Sequence, residues 1–353
     1  MRGSDLRIAS HVTRLMGGPA TLIRPSRPPP PAGRREEQTN LSRWLPAMHE
    51  QTAIPIVIRG SDGHSGRGAR LCRRITRRYA KTFYFASACL PRPTRAHAYA
   101  VYGFCRWADN AVDDAGSPAE ATARLDRARL ALDLAYSDAP APPGLAEFRR
   151  TVRSCDVPRS LFDELLEGMA MDLHTTRYPD FAALDLYCHR VAGVVGLMMT
   201  HVLGYHDRRC LPQARALGTA MQLTNILRDV GEDGLKGRIY LPRDELDRFG
   251  VTEAQVLERR VDDGFRALMR FQIERARRYY AEAEAGIAWL VGDASRLTVR
   301  VMGRLYAGIL TAIEEHDGDV FRARAHVPFA RKLTTLAACQ AETWQDRTRR
   351  YWG

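Results

Sequence analysis

The chain has 353 residues, 45% hydrophobic and 27% charged, which suits a soluble enzyme with a substantial buried core. Its formal net charge of +12 favours an anionic substrate or an anionic membrane surface. No zinc-finger spacing, RNP-like sequence or basic zipper accompanies this charge, so no nucleic-acid partner is expected. Seven scattered cysteines without a Cys-x-x-Cys pair indicate reduced thiols, and no apolar run predicts a membrane-spanning helix.

The first 70 residues differ in composition from the rest of the chain. They carry 11 Arg, no Lys and 5 acidic residues, and positions 28–31 are all proline. This composition predicts a disordered extension over residues 1–70. Its Arg-rich, acid-poor character resembles an organelle transit peptide, but the prolines break any long amphipathic helix, so a targeting role stays open.

Residues 71–349 show nearly continuous helical patterning. The run 117–120, Ser-Pro-Ala-Glu, combines a capping residue, a first-turn proline and an acid, which predicts a helix start. Other helices are predicted at 71–88, from there to 114, and at 145–154, 158–173, 181–204, 209–233, 252–290, 294–316 and 328–349. Strands and helices do not alternate, which argues against a dinucleotide-binding sheet. The sequence therefore predicts a single all-α domain with helices around a central cavity.

Two of the predicted helices carry a stripe of oxygen-bearing and basic side chains. The stripes consist of Tyr102, Arg106, Asp109 and Asp113 in one helix and of Gln222, Asn225, Asp229 and Asp233 in the other. Spacings of three and four residues place each set on one helix face. Carboxylates one turn apart repel each other, whereas magnesium accepts carboxylate oxygens and keeps positions for water or phosphate oxygens. Two such helices facing a cavity would clamp a metal-bound diphosphate; a solvated face is the alternative for either stripe alone.

These residues give the chain a resemblance to the squalene and phytoene synthase family. The matching stretches are 81–84, 102–113, 168–173, 187–193, 222–233 and 237–242, in order within residues 72–345. The resemblance implies the all-α isoprenoid synthase fold and the head-to-head condensation of two geranylgeranyl diphosphates, through prephytoene diphosphate, to phytoene. It also implies magnesium as cofactor, with manganese as an alternative and no need for NADPH.

The resemblance also implies roles for individual residues. The metal ligands would be Asp109, Asp113, Asn225, Asp229 and Asp233. Substrate binding would fall to Lys81, Thr82, Arg106, Gln222, Arg228, Arg238 and Tyr306, because basic groups grip phosphate oxygens. Catalytic contacts would come from Tyr102, Arg106, Tyr187, Arg228 and Tyr240, since tyrosine offers both a hydroxyl and a cation-stabilising ring. The alternatives are that Arg106 neutralises Asp109 or Asp113 and that the tyrosines pack in the core. Asp172 is expected to make a helix contact near the site.

Three competing functions stay open at this stage. A squalene or dehydrosqualene synthase acting on farnesyl diphosphate would share every motif, because cavity depth rather than the motifs selects chain length. A non-catalytic assembly factor of the same fold is a more distant alternative, and it would have no reason to keep both aspartate pairs. A membrane- or nucleic-acid-binding module that uses the basic tail is the third. We expect a cytoplasmic enzyme that associates loosely with membranes, because its product is a hydrocarbon.

Overall fold

The structure, a computed structural model, describes residues 65–352. The predicted extension therefore lies outside the described residues as far as position 64. Within the described part there is no β-strand, only two isolated backbone bridges, Arg177 with Ile239 and Tyr205 with Leu290. The prediction of an all-α fold is confirmed.

The described residues form fourteen α-helices. The first seven are α1 (Ser65–Tyr79), α2 (Lys81–Ala86), α3 (Arg92–Asp113), α4 (Pro118–Tyr136), α5 (Ala146–Ser154), α6 (Arg159–Met171) and α7 (Phe181–Cys188). The others are α8 (Val194–Leu203), α9 (Cys210–Gly234), α10 (Arg243–Arg248), α11 (Glu253–Leu257), α12 (Asp263–Glu284), α13 (Asp293–Glu315) and α14 (Phe329–Trp352). The Ser117 hydroxyl accepts a bond from the Glu120 backbone N–H at 3.2 Å, so the predicted start of α4 is confirmed.

Two predicted helices are each broken in the structure. The helix expected at 71–88 is interrupted at Ala80, whose backbone is not helical (φ −128°, ψ 58°). The helix expected at 252–290 is also wrong, because Arg259 adopts a left-handed conformation (φ 60°) after α11. Asp262 then caps α12 by accepting a bond from the Phe265 backbone N–H at 2.8 Å. An aspartate N-cap inside an apolar periodic pattern was the available signal for this break.

Helix α9 lies at the centre of the bundle. Its segment 218–231 is buried without interruption, as expected of a helix surrounded by others. It packs against α8, α12, α13 and the π-helical turn His189–Gly193 that joins α7 to α8. A Cβ placed on Gly196 would lie 2.2 Å from the Ala214 carbonyl oxygen, and one on Gly218 would lie 2.2 Å from that of Ala192. These glycines permit backbone-to-backbone contact.

One apolar segment, Phe181–Leu203, has the length and hydropathy of a membrane span, and half of it is buried inside the bundle. Its residues Ala192, Val195 and Met199 line the central cavity of the bundle. We therefore interpret this segment as a core helix.

Candidate active site

A cavity that is partly open to solvent lies between α3, α8, α9 and α13, with about 940 Å³ of atom-free space, solvent included. Its wall is almost entirely apolar, including Phe83, Leu90, Ala98, Tyr102, Val195, Met199, Leu203, Leu217, Met221, Leu290 and Met302. Such a lining suits a long hydrocarbon chain, because apolar surface leaves water on both the protein and the ligand.

Both aspartate pairs lie at the same end of this cavity. In α3, Tyr102 lines the cavity and Asp109 follows seven residues later, about 10 Å along the helix. In α9, Met221 lines the cavity and Asp229 follows about 12 Å later. The acidic ends of the two helices meet near Arg238, because the Asp113 charge helps to raise the pKa of Arg238 and the Arg238 backbone N–H donates to the Asp233 carbonyl oxygen at 3.0 Å. The acidic stripes therefore lie together beyond one end of the apolar space.

The acidic side chains point into the protein. Asp109 and Asp229 are each 1% exposed and Asp233 is 4% exposed, while Asp113 is partly buried. Asp113 ends α3 and Asp233 lies in the last turn of α9, where the helix dipole disfavours negative charge. Buried carboxylates in this position need a cationic partner.

Several buried polar groups beside the aspartates lack hydrogen-bond partners. Within the described part of the chain, neither side-chain atom of the Gln222 or Asn225 amide is paired, and the same is true of the Tyr102 hydroxyl. Gln222 is 0% exposed and Asn225 is 2% exposed. An unsatisfied buried group costs about 1–3 kcal/mol. The site is therefore complementary to a polar ligand, and these oxygens fit the donor set of a hard divalent cation.

No three acidic, His or Cys side chains of the described residues gather into a ready-made metal site. The aspartates are instead arranged as two pairs. Magnesium usually keeps several waters or phosphate oxygens beside one or two carboxylates. The residues present therefore fit an ion that a diphosphate would help to hold.

Asp229 lies between two arginines. The Arg228 guanidinium donates to both carboxylate oxygens, at 3.1 and 2.8 Å, and Arg324 Nε donates from the other side at 2.8 Å. Burial and the charge of Arg228 lower the pKa of Arg324. Arg324 Nε also lies 3.5 Å from a Glu232 carboxylate oxygen, so two guanidiniums and two carboxylates balance here. Arg324 was not predicted, because residues 318–328 form a connection without helical periodicity.

The contacts of Arg106 bear on both roles considered from the sequence, which are phosphate binding and neutralisation of an aspartate. It forms an ion pair with Asp109 at 3.4 Å, as the alternative interpretation predicted, and its guanidinium stacks 4.3 Å from the ring centre of Tyr79. Its Nε has no hydrogen-bond partner in the described residues. Arg106 Nε is therefore available to donate a hydrogen bond to a ligand.

Asp172 organises a second cluster. Its carboxylate accepts hydrogen bonds from the Tyr187 hydroxyl at 3.1 Å and the Tyr240 hydroxyl at 3.2 Å. Arg238 donates to the Asp172 carbonyl oxygen at 3.0 Å, and its own N–H donates to the Asp233 carbonyl oxygen at 3.0 Å. This arrangement joins Tyr187, Tyr240 and Arg238 to the end of α9.

Electrostatics link the Asp172 cluster to α3 as well. Burial lowers the pKa of Arg238, but the neighbouring Tyr240, Asp172 and Asp113 outweigh it and raise that pKa overall. Arg238 therefore lies within electrostatic reach of both acidic helices. Of the other predicted residues, Thr82 and Tyr306 are buried in α2 and α13, and Lys81 is exposed at the start of α2; their substrate contacts stay predictions.

Comparison with known proteins agrees with this geometry. The squalene/phytoene synthase family model matches residues 76–331. The 15-cis-phytoene synthase of Synechocystis is 41% identical over 75% of this chain and 82% of its own length. Phytoene synthase 3, chloroplastic, of Zea mays is 41% identical over 85% of this chain and 70% of its own. A crystal structure of a dehydrosqualene synthase superposes with a TM-score of 0.74 at 28% identity, covering 79% of this chain and 98% of that one.

An all-α bundle with an apolar cavity and two aspartate-bearing helices at one end defines a prenyltransferase of the isoprenoid synthase class. The chain belongs to the squalene/phytoene synthase family.

Proposed function

We propose that the protein is a phytoene synthase that condenses two geranylgeranyl diphosphates head to head and thereby commits isoprenoids to carotenoids. The observation that carries this proposal is an apolar cavity with both aspartate pairs at one of its ends. The phytoene synthases at 41% identity support the choice of product.

The chain's own residues divide between the two ends of the substrate. The apolar residues of the cavity wall, among them Leu90 and Met302, would bind the prenyl chains and exclude water from the allylic cation. Arg106, Arg228 and Arg238 would hold phosphate oxygens, and Tyr102, which lines the cavity, would turn its hydroxyl and ring to the region in which positive charge develops. Burial raises the pKa of Tyr102, so its hydroxyl stays protonated.

Magnesium, when bound, would offset the charge that grows on the departing diphosphate. Asp109, Asp113, Asp229 and Asp233 would hold it, with the Asn225 amide oxygen as a further ligand. Manganese would fit the same oxygen donors. The reaction itself is redox-neutral as far as phytoene, so no NADPH is required.

The second candidate is a dehydrosqualene or squalene synthase that acts on farnesyl diphosphate. The structural similarity to a dehydrosqualene synthase favours it. The test is product identification by chromatography after incubation of the purified protein with magnesium and each diphosphate, with and without NADPH. We expect phytoene from geranylgeranyl diphosphate alone; a C30 product with no phytoene would establish the second candidate.

Replacing one metal ligand tests the site directly. Asp229→Asn keeps the shape of the side chain. Its amide oxygen can still accept the Arg228 Nε and Arg324 Nε bonds, but its NH2 group cannot accept the Arg228 Nη2 bond, and the charge is lost. We expect turnover to fall about 10²- to 10³-fold, the usual loss when one preorganised electrostatic group is removed from an active site. Circular dichroism should still show a folded helical protein, while the melting temperature falls because two arginines lose a charged partner. Full activity of the variant would contradict the metal assignment.

Helix α14 offers a surface for loose membrane contact. Phe329, Leu333 and Trp344 are 67%, 48% and 65% exposed and lie on one side of this helix, here called the α14 stripe. Both acids of α14, Glu342 and Asp346, are directed to arginines of α13 instead. An exposed apolar stripe on a helix whose acids are turned inward suits an anionic bilayer.

Flotation with liposomes tests this contact. We expect the protein to float with vesicles that contain phosphatidylserine and the double variant Leu333→Ser, Trp344→Ser to stay behind, because it loses most of the exposed apolar area. Leu130→Ser, at an exposed apolar position in α4, is the matched control. Equal flotation of the double variant and wild type would place the contact elsewhere.

A further inference from the structure

A smaller pocket, partly open to solvent and with about 350 Å³ of atom-free space, adjoins the main cavity and is here called the side chamber. Four apolar residues line both spaces: Leu217, Ala283, Ile287 and Val299. The partition between the two spaces thus consists of side chains from α9, the end of α12 and α13. None of the predicted metal or diphosphate ligands lines the side chamber.

The partition includes side chains that are not fully enclosed. Leu217 and Val299 are only partly buried, and Gly303, in the middle of α13, lies behind Leu217 in the wall of the side chamber. Glycine is a poor helix former. A Cβ on Gly303 would lie 3.5 Å from Leu217 Cδ1, an ordinary contact, so close packing does not require glycine here. A side chain larger than alanine at this position would press against Leu217.

The outer end of the side chamber lies at the junction of α12, α13 and α14. Glu284 and Arg304 form its polar edge. Arg304 donates to both carboxylate oxygens of Glu342, at 2.6 and 2.5 Å, and Arg300 Nε donates to Glu284 at 3.1 Å. The side chamber therefore leads from the main cavity toward the helix that carries the α14 stripe.

We propose that the side chamber is the exit path for the hydrocarbon product, with Leu217 and Val299 as the partition that opens. A product without charge gains nothing from the aspartate and arginine end of the cavity, and an apolar path keeps its surface out of water. The identity of the hydrocarbon rests on the proposed function, but the path does not. The path would accept any elongated apolar molecule that fills the main cavity.

The test follows the release of diphenylhexatriene, a rod-shaped fluorescent hydrocarbon, from the preloaded protein into phosphatidylcholine vesicles. Gly303→Leu and Ala307→Leu each fill the side chamber from α13, and Gly303→Ala is the matched control. We expect both leucine variants to bind the probe with wild-type stoichiometry and to release it about tenfold more slowly, a change of about 1.4 kcal/mol in barrier. Gly303→Ala should release it at the wild-type rate.

Equal release rates for wild type and both leucine variants would overturn the proposal, and so would a wild-type cavity that fails to bind the probe. If one leucine variant melts far below wild type, the release rate of the other variant decides, since the two substitutions are one helical turn apart. Phytoene formation, measured on the same preparations, tests the proposed function separately. Its absence would refute the substrate and leave the release result standing.

Discussion

At the scale of single residues, the Asp172 carboxylate explains how distant parts of the chain are brought into register at the site. It is 3% exposed and accepts hydrogen bonds from Tyr187, fifteen residues away, and from Tyr240, sixty-eight residues away. The Tyr178 ring lies 5.7 Å from that of Tyr240, nearly parallel to it. We therefore expect Asp172 to act as a positioning residue, through the tyrosines and Arg238 rather than on the substrate.

Asp172→Asn tests this role. The amide can accept only weaker hydrogen bonds, and bonds to charged groups contribute about 1.5–3 kcal/mol each. We expect kcat to fall about 10- to 100-fold with KM for geranylgeranyl diphosphate changing less, and a Tyr187→Phe, Asp172→Asn double variant to lose less than the two single variants combined. Asp163→Asn, at a half-exposed position in α6, is the control. Strict additivity would argue against the coupling.

The residues of the site differ in how far the sequence could identify them. Asp109, Asp113, Asp229 and Asp233 follow from helical spacing, because a regular helix fixes which side chains share a face. Arg324 does not, since it reaches Asp229 from an irregular connection 95 residues later. The hydrogen bonds of Asp172 could not be predicted beyond a contact near the site, because its partners come from two other segments, one with Tyr187 and one with Arg238 and Tyr240.

At the scale of elements, the contact between α8 and α9 sets the position of the central helix. Gly196 and Gly218 place the two backbones in direct contact, and the π-helical turn before α8 brings Ala192 and Gly193 against α9. Such single π turns often mark functional sites. The turn itself was not predicted, because one extra residue leaves the apolar pattern of 181–204 almost unchanged.

Two glycine-to-alanine substitutions separate the effect of close packing on the free energy of unfolding from the effect of helix propensity. Gly196→Ala would press a methyl group against the Ala214 carbonyl, so we expect the free energy of unfolding to fall by about 3 kcal/mol, the upper end for overpacking. Gly303→Ala meets only an ordinary contact, so we expect a gain of up to about 1 kcal/mol from helix propensity. Urea denaturation of both variants measures the difference. Equal stability would contradict the contact at Gly196.

Element types were easier to predict than element boundaries. The long helices at 209–233 and 294–316 correspond to α9 and α13 within one residue at each end, because long periodic segments leave little choice of state. The break between α11 and α12 was not foreseen, since its apolar residues stay in phase with both helices. A left-handed Arg259 is stabilised by tertiary contacts, including its bond to the Phe321 carbonyl at 3.2 Å.

At the scale of the whole molecule, the described bundle contains the full family match. The match spans residues 76–331, and α1 begins at Ser65. We therefore expect deletion of residues 1–64 to leave phytoene formation within about twofold of wild type, well under the 1.4 kcal/mol that a tenfold change represents. Product yield over time for the two proteins measures this. A folded truncated protein without activity would give those residues a part in catalysis.

The backbone contact between α8 and α9 also determines which part of the cavity wall can move. The α8 and α9 backbones abut at Gly196, so these two helices cannot shift against each other without overlap. When two twenty-carbon tails are joined into one longer rod, the strain of accommodating it falls on partly buried side chains of the cavity wall, among them Leu217 and Val299. Amide hydrogen exchange should accordingly quicken along α13 during turnover and stay slow along the α8 face.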